Sequence, residues 1–223
     1  MASRELPPTI VECALAVLHE ADPDAKVRLT NAVAEAWRAG GISCEPPERP
    51  TTVPDRPARP DDRVRLVPAW ELPQRGKGGS LASRLALLHS LAHIESWAID
   101  LSWDIIARFG RDSSYALPRA FFDDFVAVAE DEARHYALLC ARLREEGSHY
   151  GALPAHDGLW ESATATRESL PARLAVEHCA HEARGLDVLP QTIARFRRAG
   201  DERSAALMSD VIYPEEVTHC AAG

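Results

Sequence analysis

Ala129-Glu130-Asp131-Glu132-Ala133-Arg134-His135-Tyr136 is the stretch on which the fold turns. Glu132 and His135 are three residues apart inside an amphipathic pattern, a spacing that sends both side chains from one face of a helix. Steps of four and three from Phe121 give Phe125, Val128, Glu132, His135 and Leu139, an apolar stripe interrupted only by the carboxylate and the imidazole. Such groups aimed at a core need a partner that offsets their desolvation, and a metal ion suits both. The same Glu-x-x-His spacing returns at Glu216 and His219. Two such pairs on separate helices, with one more glutamate from each of two others, form the dinuclear iron or manganese sites of helical bundles.

The further glutamates emerge from the same counting. Leu81, Leu85, Leu88, Ala92, Glu95, Ile99, Ser102, Ile106 and Phe109 form a stripe from an N-cap at Ser80 to a stop at Gly110, and Glu95 is its one ionisable member. A loop over 111–117 and Pro118 lead into the helix of Glu132, which ends at Gly147. So short a loop makes the two helices antiparallel neighbours and brings Glu95 and Glu132 to similar depth. Residues 148–169 suit a crossover, in which His149, Tyr150, His156 and Trp160 read either as a lid over a substrate pocket or as packing. A third helix from Leu170-Pro171 carries Ala175, His178, Glu182, Gly185, Leu189, Ile193 and Phe196 on its stripe. Pro190 cannot donate to the Leu186 carbonyl and predicts a bend. Glu177 lies off the stripe, so Glu182 is the preferred ligand, while His178 reads as a donor behind the ligands or as a core histidine. After Gly200 and Asp201 a fourth helix offers Ala205, Ser209, Ile212, Glu216 and His219, with a kink expected at Pro214. The sequence stops at Gly223, barely a turn after His219, which leads us to expect a truncated product or a second chain over the exposed apolar surface.

Ahead of the bundle the pattern is different. Pro7 and Pro8 precede an apolar run from Ile10 to Leu18, and Asp22-Pro23-Asp24 opens a second helix ending at Gly40-Gly41. Residues 44–79 hold eight of the sixteen prolines and read as an extended connector. Its Arg56, Arg59, Arg63, Arg65, Arg75 and Lys77 interleave with Asp55, Asp61, Asp62 and Glu71, the mark of a solvated linker rather than a phosphate-binding arm. The expected organisation is a helical extension over 1–43, the connector over 44–79 and the bundle over 80–223.

With 46% hydrophobic and 26% charged residues in a chain of 223, one sizeable core is within reach. A formal charge of −9 disfavours nucleic acid as a partner. No leader pattern and no membrane span is present in the sequence, so a soluble cytoplasmic protein is expected. The five cysteines are scattered without any Cys-x-x-Cys pair and read as reduced thiols. Hard carboxylates with two imidazoles select iron or manganese over copper, and no thiolate on the stripes supports a structural zinc. Asp100, Asp187 and Asp210 are candidate acceptors for the second nitrogen of a ligating histidine.

The runs Leu91-Ala92-His93-Ile94-Glu95, Asp131-Glu132-Ala133-Arg134-His135-Tyr136, Pro154-Ala155-His156-Asp157-Gly158-Leu159-Trp160 and His181-Glu182-Ala183-Arg184-Gly185-Leu186-Asp187 resemble the ferritin-like family catalogued as domain of unknown function 455. The resemblance implies an all-α, ferritin-like four-helix bundle with Glu95, Glu132, His135, Glu182, Glu216 and His219 as metal ligands. It brings no established substrate. The functional expectation is a di-iron protein, alternatively with manganese or a mixed pair, acting as an oxidoreductase on an unidentified small molecule and assembling as a homo-oligomer. Competing expectations are an iron-oxidising or storage protein, a hydroxylase of transfer RNA, and a metal-free helical interaction module.

Overall fold

The computed structural model describes residues 5–60, 63–72 and 78–223. Among these residues the chain is all-helical, with isolated β-bridges but no strand. Helix α1 spans Ile10–Leu18, α2 Pro23–Arg38, α3 Leu81–Phe109, α4 Arg119–Glu145 and α5 Gly158–Ala165. A third long helical run joins α6 (Leu170–Arg173), a π-helical stretch Leu174–His181 and α7 (Glu182–Arg198). The fourth joins α8 (Glu202–Ala206), a π-helical stretch Leu207–Ile212 and α9 (Tyr213–Ala222). No helix among the described residues is long and apolar enough to cross a membrane.

The helix starts follow from side chains that accept an otherwise orphaned amide. Thr9 accepts from the Glu12 amide at 3.3 Å, Asp22 from Ala25 at 2.7 Å and Ser80 from Ser83 at 3.2 Å. Ser169 does the same for Ala172 at 3.4 Å and Asp201 for Ser204 at 3.1 Å. At the other end of α4, Gly147 takes φ +80° and the Ser148 amide reaches the Leu143 carbonyl at 2.9 Å, a Schellman closure. Gly110 follows α3, and a Cβ there would stand 2.5 Å from the Ile106 carbonyl oxygen and 2.8 Å from the Phe122 ring, so the position admits only glycine without a shift.

Contacts divide the chain into two compact units, and both α3 and α4 contribute to each. The first comprises Met1–Pro60 and Ala98–Ala133. Its core is α1, buried along Ile10, Val11, Ala14, Val17 and Leu18, with Trp37 of α2 and Trp103, Ile106 and Phe125 of the long helices. Trp103 Nε1 donates to Thr30 Oγ1 at 3.0 Å, so its one polar atom is satisfied inside that core. Buried Asp100 pairs with Lys26 and Arg59. Arg59 is thereby an anchor and not a solvated linker residue, and the connector is also tied back by the Ala58 amide, which donates to the Leu18 carbonyl at 2.7 Å. Arg75, Lys77, Asp61 and Asp62 lie outside the described residues.

The second unit comprises Asp61–Trp97 and Arg134–Gly223. Here the start of α3 meets the end of α4, since Arg84 donates to Glu146 at 3.0 Å, as an antiparallel pair requires. The crossover is packed and not free: Tyr150 and Trp160 are buried, Trp160 stacks on Trp97 at 5.4 Å, and His93 Nδ1 lies 2.9 Å from the Tyr150 hydroxyl. Tyr150 and Trp160 therefore serve as packing, while His149 and His156 are exposed. Burial, then the charge of His149, pushes His89 down to about 4, and the neutral ring accepts the Gly151 amide at 2.9 Å. The connector pairs with the crossover through the Val67 amide and the Ala155 carbonyl at 2.9 Å.

Helix α7 continues through Pro190, and the departure from α geometry lies upstream of it, at Leu174–His181. In the fourth run the departure again precedes the proline. The Pro214 ring would press on the Asp210 carbonyl in a regular helix, and a wider turn over Leu207–Ile212 relieves that clash.

Candidate metal centre

Each site residue is set by its own helix. Helix α4 carries Glu132 and His135 on consecutive turns of one buried face, with 1% and 0% of their surfaces exposed. Helix α3 carries Glu95, which is buried, and α9 carries Glu216 and His219, also buried. Glu182 opens α7 and is half-buried. Both α7 and α9 begin immediately after a π-helical stretch, a feature that recurs at functional sites.

Their ligand atoms form two overlapping groups, each with all atoms within 4.8 Å of one another. One group is Glu95, Glu132, His135 and Glu216; the other is Glu132, Glu182, Glu216 and His219. Glu132 and Glu216 belong to both. His135 Nδ1 lies 3.6 Å from Glu95 Oε2 and 3.5 Å from Glu216 Oε1, and His219 Nδ1 lies 3.6 Å from Glu216 Oε2. These separations exceed those of good hydrogen bonds, about 2.7–3.2 Å. They approach the edges of a coordination polyhedron, since donors about 2.1 Å from one ion stand roughly 3.0–3.5 Å apart. A buried cluster of oxygen and imidazole donors at this spacing can hold a metal ion, and the donor set fits a hard or borderline one.

One residue of the centre escapes a stripe-based reading. Glu215 Oε2 lies 2.6 Å from His135 Nε2 and also pairs with Arg134. A carboxylate only accepts here, so Nε2 carries the proton and the lone pair of Nδ1 faces Glu95 and Glu216. Glu215 thus fixes the tautomer and ring orientation of His135, the part commonly played by a carboxylate behind a metal-bound histidine. The sequence signal was slight: Glu215 directly precedes Glu216 and leaves α9 about 100° away from it. The aspartates expected in that part are elsewhere. Asp100 pairs with Lys26 and Arg59, Asp187 is exposed, and exposed Asp210 accepts from Ser209 at 2.6 Å.

The third helical run also differs from its α-helical reading. Glu177, counted as off the stripe, is 1% exposed and lies 3.0 Å from His181 Nδ1, whereas Glu182 is only half-buried. Both Glu177 and His178 sit in the π-helical stretch, where a count in steps of three and four no longer predicts the inward face. His178 is buried outside both ligand groups.

An uncharacterised protein of Haemophilus influenzae (strain ATCC 51907 / DSM 11121 / KW20 / Rd) is 33% identical over 212 residues, covering 92% of this chain and 72% of that protein. No solved structure matches the sequence significantly. The family model described as "Protein of unknown function (DUF455)" matches residues 19–223, nearly the whole sequence, and the chain belongs to that family.

Proposed function

We propose that the chain is a ferritin-like oxidoreductase whose six residues bind two iron ions, alternatively manganese, and that it oxidises a small organic substrate with dioxygen or peroxide. The observation that carries this reading is the sharing of Glu132 and Glu216 between two four-residue groups. A carboxylate has two oxygens, and two shared carboxylates with separate further donors on each side would suit a pair of ions. Glu95 and His135 complete one end, Glu182 and His219 the other. When bound, a pair of redox-active ions supplies two-electron chemistry toward dioxygen or peroxide. The chain's own residues bind the ions, offset their charge with four carboxylates, and keep His135 in the required tautomer through Glu215. Burial of Glu132, His135 and His219 excludes bulk water from that side of the centre. The more open Glu182 marks the side on which a substrate would approach.

The test is elemental analysis after anaerobic loading with ferrous or manganous ion, followed by oxygen consumption. Two equivalents per chain are expected for the wild type and less than one for Glu132→Ala, which deletes a ligand of both groups. Oxygen uptake matched by oxidation of an added organic substrate supports the oxidoreductase; uptake that, without reductant, scales only with the ferrous iron added identifies the iron-oxidising protein. Absence of bound metal rejects both and leaves the interaction module. In the metal-free state Glu132→Ala should match or exceed the wild type in melting temperature, because deleting one of four clustered carboxylates relieves repulsion and desolvation. With metal bound the order reverses, since the ion binds only the folded chain.

A further inference from the structure

A cavity of about 530 Å³, within the size range of small-molecule sites, lies beside the start of α3 and the end of α7 and has no part in the metal centre. Arg84, Arg195 and Arg198 line it, together with Ser83 and the apolar Leu87 and Phe196. No carboxylate lines it among the described residues, although the chain as a whole carries a formal charge of −9. Arg84 is already balanced. Its guanidinium donates to Glu146 at 3.0 Å and its Nε lies 3.3 Å from Asp201, which fixes its position. Arg195 and Arg198 differ, for neither side chain makes a hydrogen bond or ion pair with any described residue. Three apart on α7, they share a face, and like charges at that spacing oppose the helix. The end of a helix accounts for part of this, since α7 closes with Arg195, Arg197 and Arg198. A helix C-terminus offers only about half a negative charge, however, and Arg197 already lies 3.9 Å from Glu202. More than one positive charge is left facing the cavity without an internal partner.

We propose that this cavity binds a small phosphomonoester, with the dianionic phosphate between Arg195 and Arg198 and the organic part against Leu87 and Phe196. Two unpaired guanidinium groups match the charge of a phosphate dianion, and their planar forks match its oxygens. Arg84 and Ser83 line the same cavity. The apolar wall gives an ester the advantage over the free ion.

Calorimetric titration of the chelator-treated full chain with phenyl phosphate, inorganic phosphate and phenol tests this without the metal centre. Phenyl phosphate should bind about tenfold more tightly than inorganic phosphate, phenol should not bind, and raised salt should weaken the complex. The double variant Arg195→Ala, Arg198→Ala removes only exposed side chains, so it should keep its melting temperature and lose at least about tenfold in affinity. The double lysine variant keeps the charge and should fall between the two. Absence of a binding heat up to about 10 mM phenyl phosphate, or equal affinity in wild type and double alanine variant, overturns the proposal.

Discussion

Replacing Glu215 tests the centre without touching a ligand. In the wild type its carboxylate accepts from His135 Nε2 at 2.6 Å, and His135 is fully buried behind a half-exposed Glu215. Loss of the acceptor in Glu215→Ala removes a hydrogen bond to a charged group, which costs about 1.5–3 kcal/mol of stability in the metal-free chain and less where water reaches the space the side chain leaves. The partner pair with Arg134 is half exposed and adds only about 0–1 kcal/mol. Metal affinity falls further, because the imidazole becomes a weaker donor and is free to adopt the other tautomer. Carboxylates behind metal-bound histidines are worth about 10–100-fold in affinity, or about 1.4–2.7 kcal/mol. Glu215→Gln retains an acceptor but not the charge, and neutral hydrogen bonds are about half as strong, so it should lose about tenfold or less. Competition between each variant and a chromophoric chelator for ferrous or manganous ion measures the three affinities, with thermal melts of the metal-free proteins as control. Equal affinities for wild type and folded Glu215→Ala, within about twofold, refute the argument that His135 is oriented through Glu215.

Other expectations concern the framework. Burial works against ionisation of Asp201, but the Ser204 amide and hydroxyl and the Arg142 guanidinium outweigh it and hold the carboxyl below the usual carboxylate range. A depressed folded value contributes stability above the unfolded one, near 3.9, that is lost as pH falls through the folded one; acid unfolding of Asp201→Asn should therefore be shallower than that of the wild type below about pH 4. At neutral pH the same variant should lose about 3 kcal/mol in urea titrations, as it breaks a buried pair with Arg142. Asp100→Ala removes the carboxylate that buried Lys26 and half-buried Arg59 share and should cost about 3–5 kcal/mol, whereas Lys26→Met leaves the Asp100–Arg59 pair and should cost much less. Equal losses for the two would contradict that account. Burial, and then Glu12, pushes the Cys13 thiol up to about 12, so alkylation at pH 8 followed by peptide mapping should label half-buried Cys44, Cys179 and Cys220 well before Cys13.

Much of the helical frame was legible because its signals are local. Ser80, Ser169 and Asp201 were read from sequence as helix starts or their neighbourhood, and each accepts the amide three residues on. The stripe of α4 is buried from Phe125 to Leu139, including both polar members. Tertiary partners were not legible. Nothing near Arg59 in sequence announces Asp100, and nothing near Glu215 announces His135, because both contacts join segments far apart in the chain. The crossover aromatics were ambiguous for the same reason: Trp160 is a packing residue because Trp97 is there to stack on, and no local pattern encodes that meeting.

The third helix run failed in a different way, and the failure is informative about the centre. Periodicity assumes about 3.6 residues per turn throughout, whereas a π turn takes in an extra residue and advances the phase by about 100°. Counting across Leu174–His181 therefore assigned Glu177 to the outside, where the chain buries it. The helices that escape this problem are α3 and α4, regular over 29 and 27 residues, and they carry Glu95, Glu132 and His135. Those that do not are the third and fourth runs, whose π stretches end directly at α7 and α9. A π turn lacks the tight i to i−4 bonding that fixes the rotation of a regular helix, so Glu182, Glu216 and His219 stand on segments whose phase depends on what they pack against. Half of the donor set thus follows from helical regularity alone. The other half, Glu182, Glu216 and His219, lies on segments that follow a π stretch, and the regular count still brought these three to the cluster while misplacing Glu177 inside the stretch itself.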